Sequence, residues 1–221
     1  MFKAFVITIV GNEKSEAAAD RCIRSGRIQG LEIQKFKAVT PQDNPKDIFK
    51  SRGLREEMFE EMYSRKLNCM SAFLSHFSIW EDCAVNDDTY IIFEHDAVLT
   101  GPIPSVPFQY CMTISKPSYG KWKTPRMMGA NPLTQKEYFG GAHGYMLKPQ
   151  GAWALIETAI SGYARPTDVF LNKEYFPWLQ EHYPWVCEAR DDFTTIQNEA
   201  GCYAKHNFDI QNKQKYTIEN V

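Results

Sequence analysis

The chain has 221 residues, a formal net charge of −2, 43% hydrophobic residues and 14% aromatic residues. These values exclude a disordered chain and a small disulfide scaffold, and they leave no global basic field for nucleic acid. The six cysteines (Cys22, Cys69, Cys83, Cys111, Cys187 and Cys202) contain no CxxC pair. Neither a zinc site nor a redox motif is expected. Scattered free thiols point to a reducing compartment, the cytoplasm.

Residues 2–10 form an apolar run that stops at Gly11-Asn12. The run is short, has no basic n-region and meets no small-residue cleavage site. It predicts a first buried strand rather than a leader. Residues 15–26 read as a helix, with Ser15 as N-cap and Gly26 as stop. Residues 31–39 alternate apolar and polar, as a half-exposed strand does. This strand–helix–strand succession has the size of a right-handed crossover unit. Residues 40–50 read as a polar, Pro-containing loop, and residues 54–65 as a charged helix. Residues 68–85 read as an apolar helix whose stripe of Phe73, Phe77, Trp80 and Ala84 is core packing. Within it, Ser75 and His76 point in different directions, so a nucleophilic dyad is disfavoured. A structural His76 bonding a backbone carbonyl is expected instead.

The most informative stretch is residues 90–99, Tyr-Ile-Ile-Phe-Glu-His-Asp-Ala-Val-Leu. In a strand, Glu94 and Asp96 share one face and His95 points the other way. Two carboxylates on one face repel unless a cation offsets them. Acids at the end of a buried strand suit a divalent cation that holds a phosphorylated ligand.

Further on, residues 108–115 predict a strand. Residues 116–128 combine Lys116, Lys121, Lys123 and Arg126 with Tyr119 and Trp122, a composition that suits a lid over a ligand. Such a loop binds a diphosphate, an anionic acceptor or a nucleic-acid backbone, or is simply solvated. Residues 138–147 read as a loop entering a strand, residues 149–161 and 167–175 as helices, and the remainder as short strands or a tail. No run is long enough to span a membrane.

Four segments, in order, resemble glycosyltransferase family 25, the lipooligosaccharide-type galactosyltransferases. They are residues 5–9, residues 72–81 with Leu74-Ser75-His76, the acidic residues 91–96, and Gly140-Gly141-Ala142-His143-Gly144-Tyr145 followed by Gly151-Ala152, with residues 165–171 downstream. The match spans roughly residues 2–180. The family usually carries an acid where this chain has His95. The resemblance implies a GT-A fold: a Rossmann-like α/β domain over residues 1–180, with a mixed, mostly parallel central sheet flanked by helices. Residues 181–221 would be a C-terminal extension packed on it. It also implies an inverting transfer from a nucleotide sugar, a UDP-sugar foremost.

Under that reading Asp96 is the ligand of Mn²⁺ or Mg²⁺, and Glu94 meets the ribose or a metal-bound water. Thr8, Gly140, Gly141 and His143 are the further donor-binding candidates, the two glycines through backbone N–H groups. Asp168, at a helix start, is the candidate base for the acceptor hydroxyl, or else only a cap. Glu137, Asp191 and Asp192 are weaker candidates. Three hypotheses follow. The first is a transferase with a glycan acceptor such as lipopolysaccharide core. The second is a viral transferase acting on a hydroxymethylated DNA base, in the host cytoplasm. The third is a catalytically silent nucleotide-sugar-binding scaffold.

Overall fold

The computed structural model describes residues 2–59 and 65–190. It is an α/β sandwich built on a seven-stranded sheet. The strands are β1 (Phe2–Thr8), β2 (Ile33–Lys37), β3 (Thr89–Glu94), β5 (Cys111–Thr113), β6 (Gly129–Pro132), β7 (Gly144–Leu147) and β8 (Gln180–Tyr183), in the order β2-β1-β3-β7-β5-β8-β6. β1 runs parallel to β2 and β3, β7 is antiparallel to both β3 and β5, β8 is parallel to β5, and β6 is antiparallel to β8. Five of the seven strands therefore point one way, the mostly parallel mixed sheet expected from the sequence. A second, two-stranded sheet pairs β4 (Ala97–Leu99) with β9 (Cys187–Ala189).

Strand alternation divides the core in two. Ala4 and Val6 of β1, with Ile91 and Phe93 of β3, bury one face against Ala19 and Cys22 of helix α1 (Glu13–Ile28). Ile7, Tyr90 and Ile92 bury the other face against α3 (Lys66–Ala84) and α4 (Pro149–Thr158). The stripe of α3 is core, as expected: Phe73 meets Trp80 edge-on at 5.6 Å, and both rings meet Phe170 at 5.5 Å. Phe170 belongs to the short helix α5 (Thr167–Phe170), so this aromatic cluster fixes the segment that carries Asp168.

Several boundaries differ from expectation. α1 is capped by Asn12, whose side chain accepts from the Ser15 N–H, and not by Ser15. Gly26 lies inside α1. A Cβ there would sit 2.5 Å from Ile33 Cδ1, so the glycine permits close helix–strand contact rather than stopping the helix. The loop expected at residues 40–50 contains a 3₁₀ turn (Pro41–Asp43) and helix α2 (Pro45–Ser51), each opened by a proline at its first position. Of the helix expected over residues 54–65, residues 54–59 are irregular with a turn at 57–58, and residues 60–64 lie outside the described residues. α5 is one turn long, not the helix expected through residue 175. The boundary expected at residue 180 falls at the first residue of β8, an interior strand of the main sheet.

Candidate active site

β1 lies between β2 and β3, so successive connections leave it in opposite directions and open a crevice at the carboxyl ends of these strands. Open α/β sheets bind their ligands at such a point. Three chain segments meet there: residues 9–12 after β1, Glu94-His95-Asp96 after β3, and residues 140–143 before β7. β7 belongs because it is antiparallel: its first residue, Gly144, pairs with Phe93, and the Glu94 N–H donates to the His143 carbonyl at 3.3 Å. A pocket of about 460 Å³, lined by Ile9, Gly11, Asn12, Lys37 and Thr40 among others, opens over the ends of β1 and β2.

The acidic motif is not one strand. β3 ends at Glu94, His95 and Asp96 form a turn, and β4 leaves the main sheet to pair with β9. The two acids therefore do not share a strand face, which corrects the expectation from spacing. Glu94 turns toward α3. His95 Nδ1 lies 3.0 Å from Ser15 Oγ, at the start of α1. Asp96 lies where its charge acts on the buried Cys22 and Cys187 thiols, both already pushed up by burial, Cys187 to about 12.

Glu94 is the end of a buried relay. Trp80 Nε1–H donates to Tyr145 Oη at 2.8 Å. An indole nitrogen only donates, so Tyr145 Oη accepts there, and the same oxygen lies 2.8 Å from His76 Nδ1. On the other side of the ring, His76 Nε2 donates to the Glu94 carboxylate at Oε1, 3.3 Å away. His76 thus bonds side chains, not the backbone carbonyl expected. Burial opposes ionisation of Glu94, but the His76 hydrogen bond, with the charges of His76, His143 and His95, outweighs it and holds the carboxyl below its usual range. Ser75 is structural: its hydroxyl donates to the Ser71 carbonyl and accepts from the Val39 N–H.

His143 is 1% exposed, and burial holds its imidazole below the usual range. Its Nε2 has no hydrogen-bond partner among the described residues. Gly141 adopts φ +113°, and a Cβ there would lie 2.6 Å from His143 Nδ1 and 2.7 Å from Ser118 Oγ. A Cβ on Gly140 would lie 2.6 Å from Pro117 Cβ. These glycines are required by the packing of the loop itself. The Gly141 N–H is taken by the Phe139 carbonyl at 2.8 Å, so it is not free for a sugar, contrary to expectation. Thr8 is also turned inward: it is 1% exposed and its hydroxyl donates to the Val6 carbonyl.

Asp168 is half-buried, and its charge and that of Glu94 act on each other. Tyr119 OH donates to Asp168 Oδ2, and the Val169 N–H donates to Oδ1 at 2.9 Å. Burial pushes the carboxyl up despite these donors. Lys136 Nζ stands 4.4 Å from the centre of the Tyr119 ring and donates to the Tyr119 carbonyl at 3.0 Å. Glu137 is exposed and paired with Lys173 at 3.0 Å. Asp191 and Asp192 lie outside the described residues.

Two residues that sequence reasoning passed over, Glu188 and Arg190, are brought in by β9. The Arg190 N–H donates to the Asp96 carbonyl at 3.0 Å, and Arg190 Nε donates to Glu188 Oε1 at 2.8 Å. Only the pairing of β9 with β4 places them, and no local pattern announces it.

The switch-point crevice, with the Glu94 and Asp168 carboxylates beside it, has the layout of a ligand-binding site in an open α/β sheet. The profile described as Glycosyltransferase family 25 (LPS biosynthesis protein) matches residues 3–113, and the chain belongs to that family. Comparison with curated protein sequences finds no match. Among solved structures, the apo-form glycosyltransferase GlyE of Streptococcus pneumoniae TIGR4 is 12% identical with a TM-score of 0.44. The alignment covers 82% of this chain and 45% of GlyE, so the chain spans under half of that protein. A glycosyltransferase involved in glycosylation of the major capsid of PBCV-1 is 6% identical with a TM-score of 0.44, covering 87% of this chain and 94% of that one. Mouse xyloside xylosyltransferase 1 is 10% identical with a TM-score of 0.46, covering 100% and 94%. These are distant likenesses. Among the described residues no helix is long and apolar enough to cross a membrane.

Proposed function

We propose that this glycosyltransferase is a metal-dependent, inverting hexosyltransferase of the cytoplasm. It moves a sugar from a UDP-sugar to a hydroxyl of a glycan acceptor such as lipopolysaccharide core. The observation that carries this is Asp168: a carboxyl at the ligand-binding end of the sheet, pushed up by burial, with a phenol holding one of its oxygens. An inverting transfer needs a base to take the acceptor proton as the hydroxyl attacks the anomeric carbon. A carboxyl whose proton affinity is raised does this better than an ordinary one.

Glu94 and Asp96 are hard oxygen donors of the kind Mg²⁺ and Mn²⁺ accept. They do not form a cage, since Glu94 is engaged by His76 and no three ligating side chains converge among the described residues. The residues fit the open mode, in which one carboxylate, that of Asp96, holds the ion together with ligand phosphates and water. The ion would supply charge stabilisation to the departing nucleotide. Glu94, held ionised by His76, orients the donor by accepting a ribose hydroxyl. His143, neutral and buried, offers Nε2 to the ligand.

Turnover of a UDP-sugar panel with Mn²⁺ and core oligosaccharide, read as released UDP, tests this. One donor should be consumed, and Asp168→Asn should lose roughly 10²–10⁴-fold in kcat while still binding that donor. Undiminished turnover in Asp168→Asn removes Asp168 as base. Consumption of no donor removes the UDP-sugar reading.

A further inference from the structure

Residues 97–136 contain no Asp or Glu but five Lys or Arg, in a chain whose net charge is −2. Four of these cations lie within residues 116–128: Lys116, Lys121, Lys123 and Arg126. Lys121, Lys123 and Arg126 are exposed, and none makes an ion pair among the described residues. A cluster of like charge costs self-repulsion unless an anion joins it.

The loop is tied to the candidate base at one place and to the segment before β7 at another. Tyr119 reaches Asp168 directly, and the Ser118 N–H donates to the Gly140 carbonyl at 2.7 Å. Farther along, the Lys123 N–H donates to the Gln135 carbonyl at 3.0 Å, and Gln135 precedes Lys136, whose ammonium covers the Tyr119 ring. Gln135 is itself anchored. The wholly buried Glu181 carboxylate accepts from the Gln135 N–H at 3.0 Å and from the Thr134 N–H at 3.0 Å. Lys121 follows Tyr119 by two residues, so their Cα atoms are at most about 7 Å apart. The cations therefore share a loop with Tyr119, which holds the carboxyl that would receive the acceptor's proton, and that loop is braced from the core.

We propose that the acceptor is an anionic glycan, and that Lys121, Lys123 and Arg126 hold its phosphate or carboxylate group while its hydroxyl lies at Asp168. This rests on the transferase reading above and adds the acceptor's chemical class. Charge-assisted contacts from an exposed loop are strong enough to select an acceptor and are weakened by salt.

The test uses the full chain and two probes: lipopolysaccharide core oligosaccharide with its phosphates, and the same oligosaccharide after dephosphorylation. kcat/KM for the phosphorylated core should exceed that for the dephosphorylated core by roughly ten-fold or more, as expected for one charged hydrogen-bonded group. Raising salt should shrink that ratio. Lys121→Glu, Lys123→Glu and Arg126→Glu together should bring it close to one. The ratio is the readout because partial loss of folded protein does not change it. Donor hydrolysis without acceptor, run in parallel, reports on the transferase reading by itself, and its absence means that reading has failed. With hydrolysis present, equal use of the two cores, or use of neither, overturns the anionic-glycan assignment. So does a preference for hydroxymethylated duplex DNA over both.

Discussion

His76 Nε2 lies 3.3 Å from Glu94 Oε1, while Nδ1 of the same ring lies 2.8 Å from Tyr145 Oη. One imidazole thus joins the buried indole of Trp80, through Tyr145, to the acid at the end of β3. The contacts run unbroken from the core outward, so the carboxylate is oriented before any ligand arrives.

Tyr145→Phe removes the hydroxyl and leaves no cavity of consequence. It deprives the Trp80 N–H of its acceptor and His76 Nδ1 of its partner, both in the core. We expect a loss of about 1–3 kcal/mol in urea unfolding. A change within a few tenths of a kcal/mol contradicts the relay.

His76→Ala reverses the electrostatics of Glu94. In the wild type the carboxyl is held down, so the stability it contributes is present above the unfolded carboxyl range and is lost as pH falls through the lower folded value. Without His76 the largest influence left is burial, which raises the carboxyl. The ionised form then costs stability at neutral pH, and the cost is relieved as pH falls through the raised value. Carbon-detected NMR titration of Glu94 should show its midpoint move upward. A downward move or none is the contrary result.

Asp168→Asn separates function from stability. Burial raises the wild-type carboxyl, so the folded state favours the protonated form, and ionisation near neutral pH works against folding. The amide keeps one acceptor, for Tyr119, gives up the local one that the Val169 N–H uses, and removes the charge. The variant should have a higher Tm than the wild type at pH 7, with the difference shrinking as pH falls through the raised value. Wild-type kcat should fall on acidification through that same value, above the ordinary aspartate range. An equal or lower Tm for the variant at neutral pH would argue that the charge is well compensated in the fold.

Gly141 and Gly11 both have positive φ, +113° and +80°, but only Gly141 is crowded. Gly11→Ala meets nothing within 4 Å and should cost only the left-handed penalty, about 1–2 kcal/mol. Gly141→Ala must also displace His143 and Ser118, and should cost roughly 2–4 kcal/mol in denaturant unfolding. Equal costs would mean that the loop yields freely.

The first half of the fold was legible because its signals are local. The apolar run of residues 2–10, the alternation of residues 31–39 and the aromatic stripe of α3 need no distant partner to be read. The acidic motif was legible in composition but not in geometry. Its strand reading failed because β4 is drawn away by β9, with Ala97 opposite Ala189, a pairing that nothing in residues 90–99 encodes. β6, Gly-Ala-Asn-Pro, has no strand-forming composition and exists through its pairing with β8. His76 was picked out, but its partners Glu94 and Tyr145 lie 18 and 69 residues away, so its role became visible only when β3 and β7 were set side by side. Asp168 could be singled out as a helix-start acid, but its burial against Tyr119 is a tertiary fact.

The most direct test of the central claim is isothermal titration of nucleotide sugars, with Mn²⁺ and then with EDTA, into the wild type and Asp96→Ala. The account predicts that one UDP-sugar binds in the presence of the metal. That binding should be lost with EDTA and lost in the variant, while the variant's unfolding midpoint stays close to the wild type's. Metal-independent binding, or undiminished binding by Asp96→Ala, would contradict the metal role. Binding of no nucleotide sugar under any condition would contradict the account as a whole.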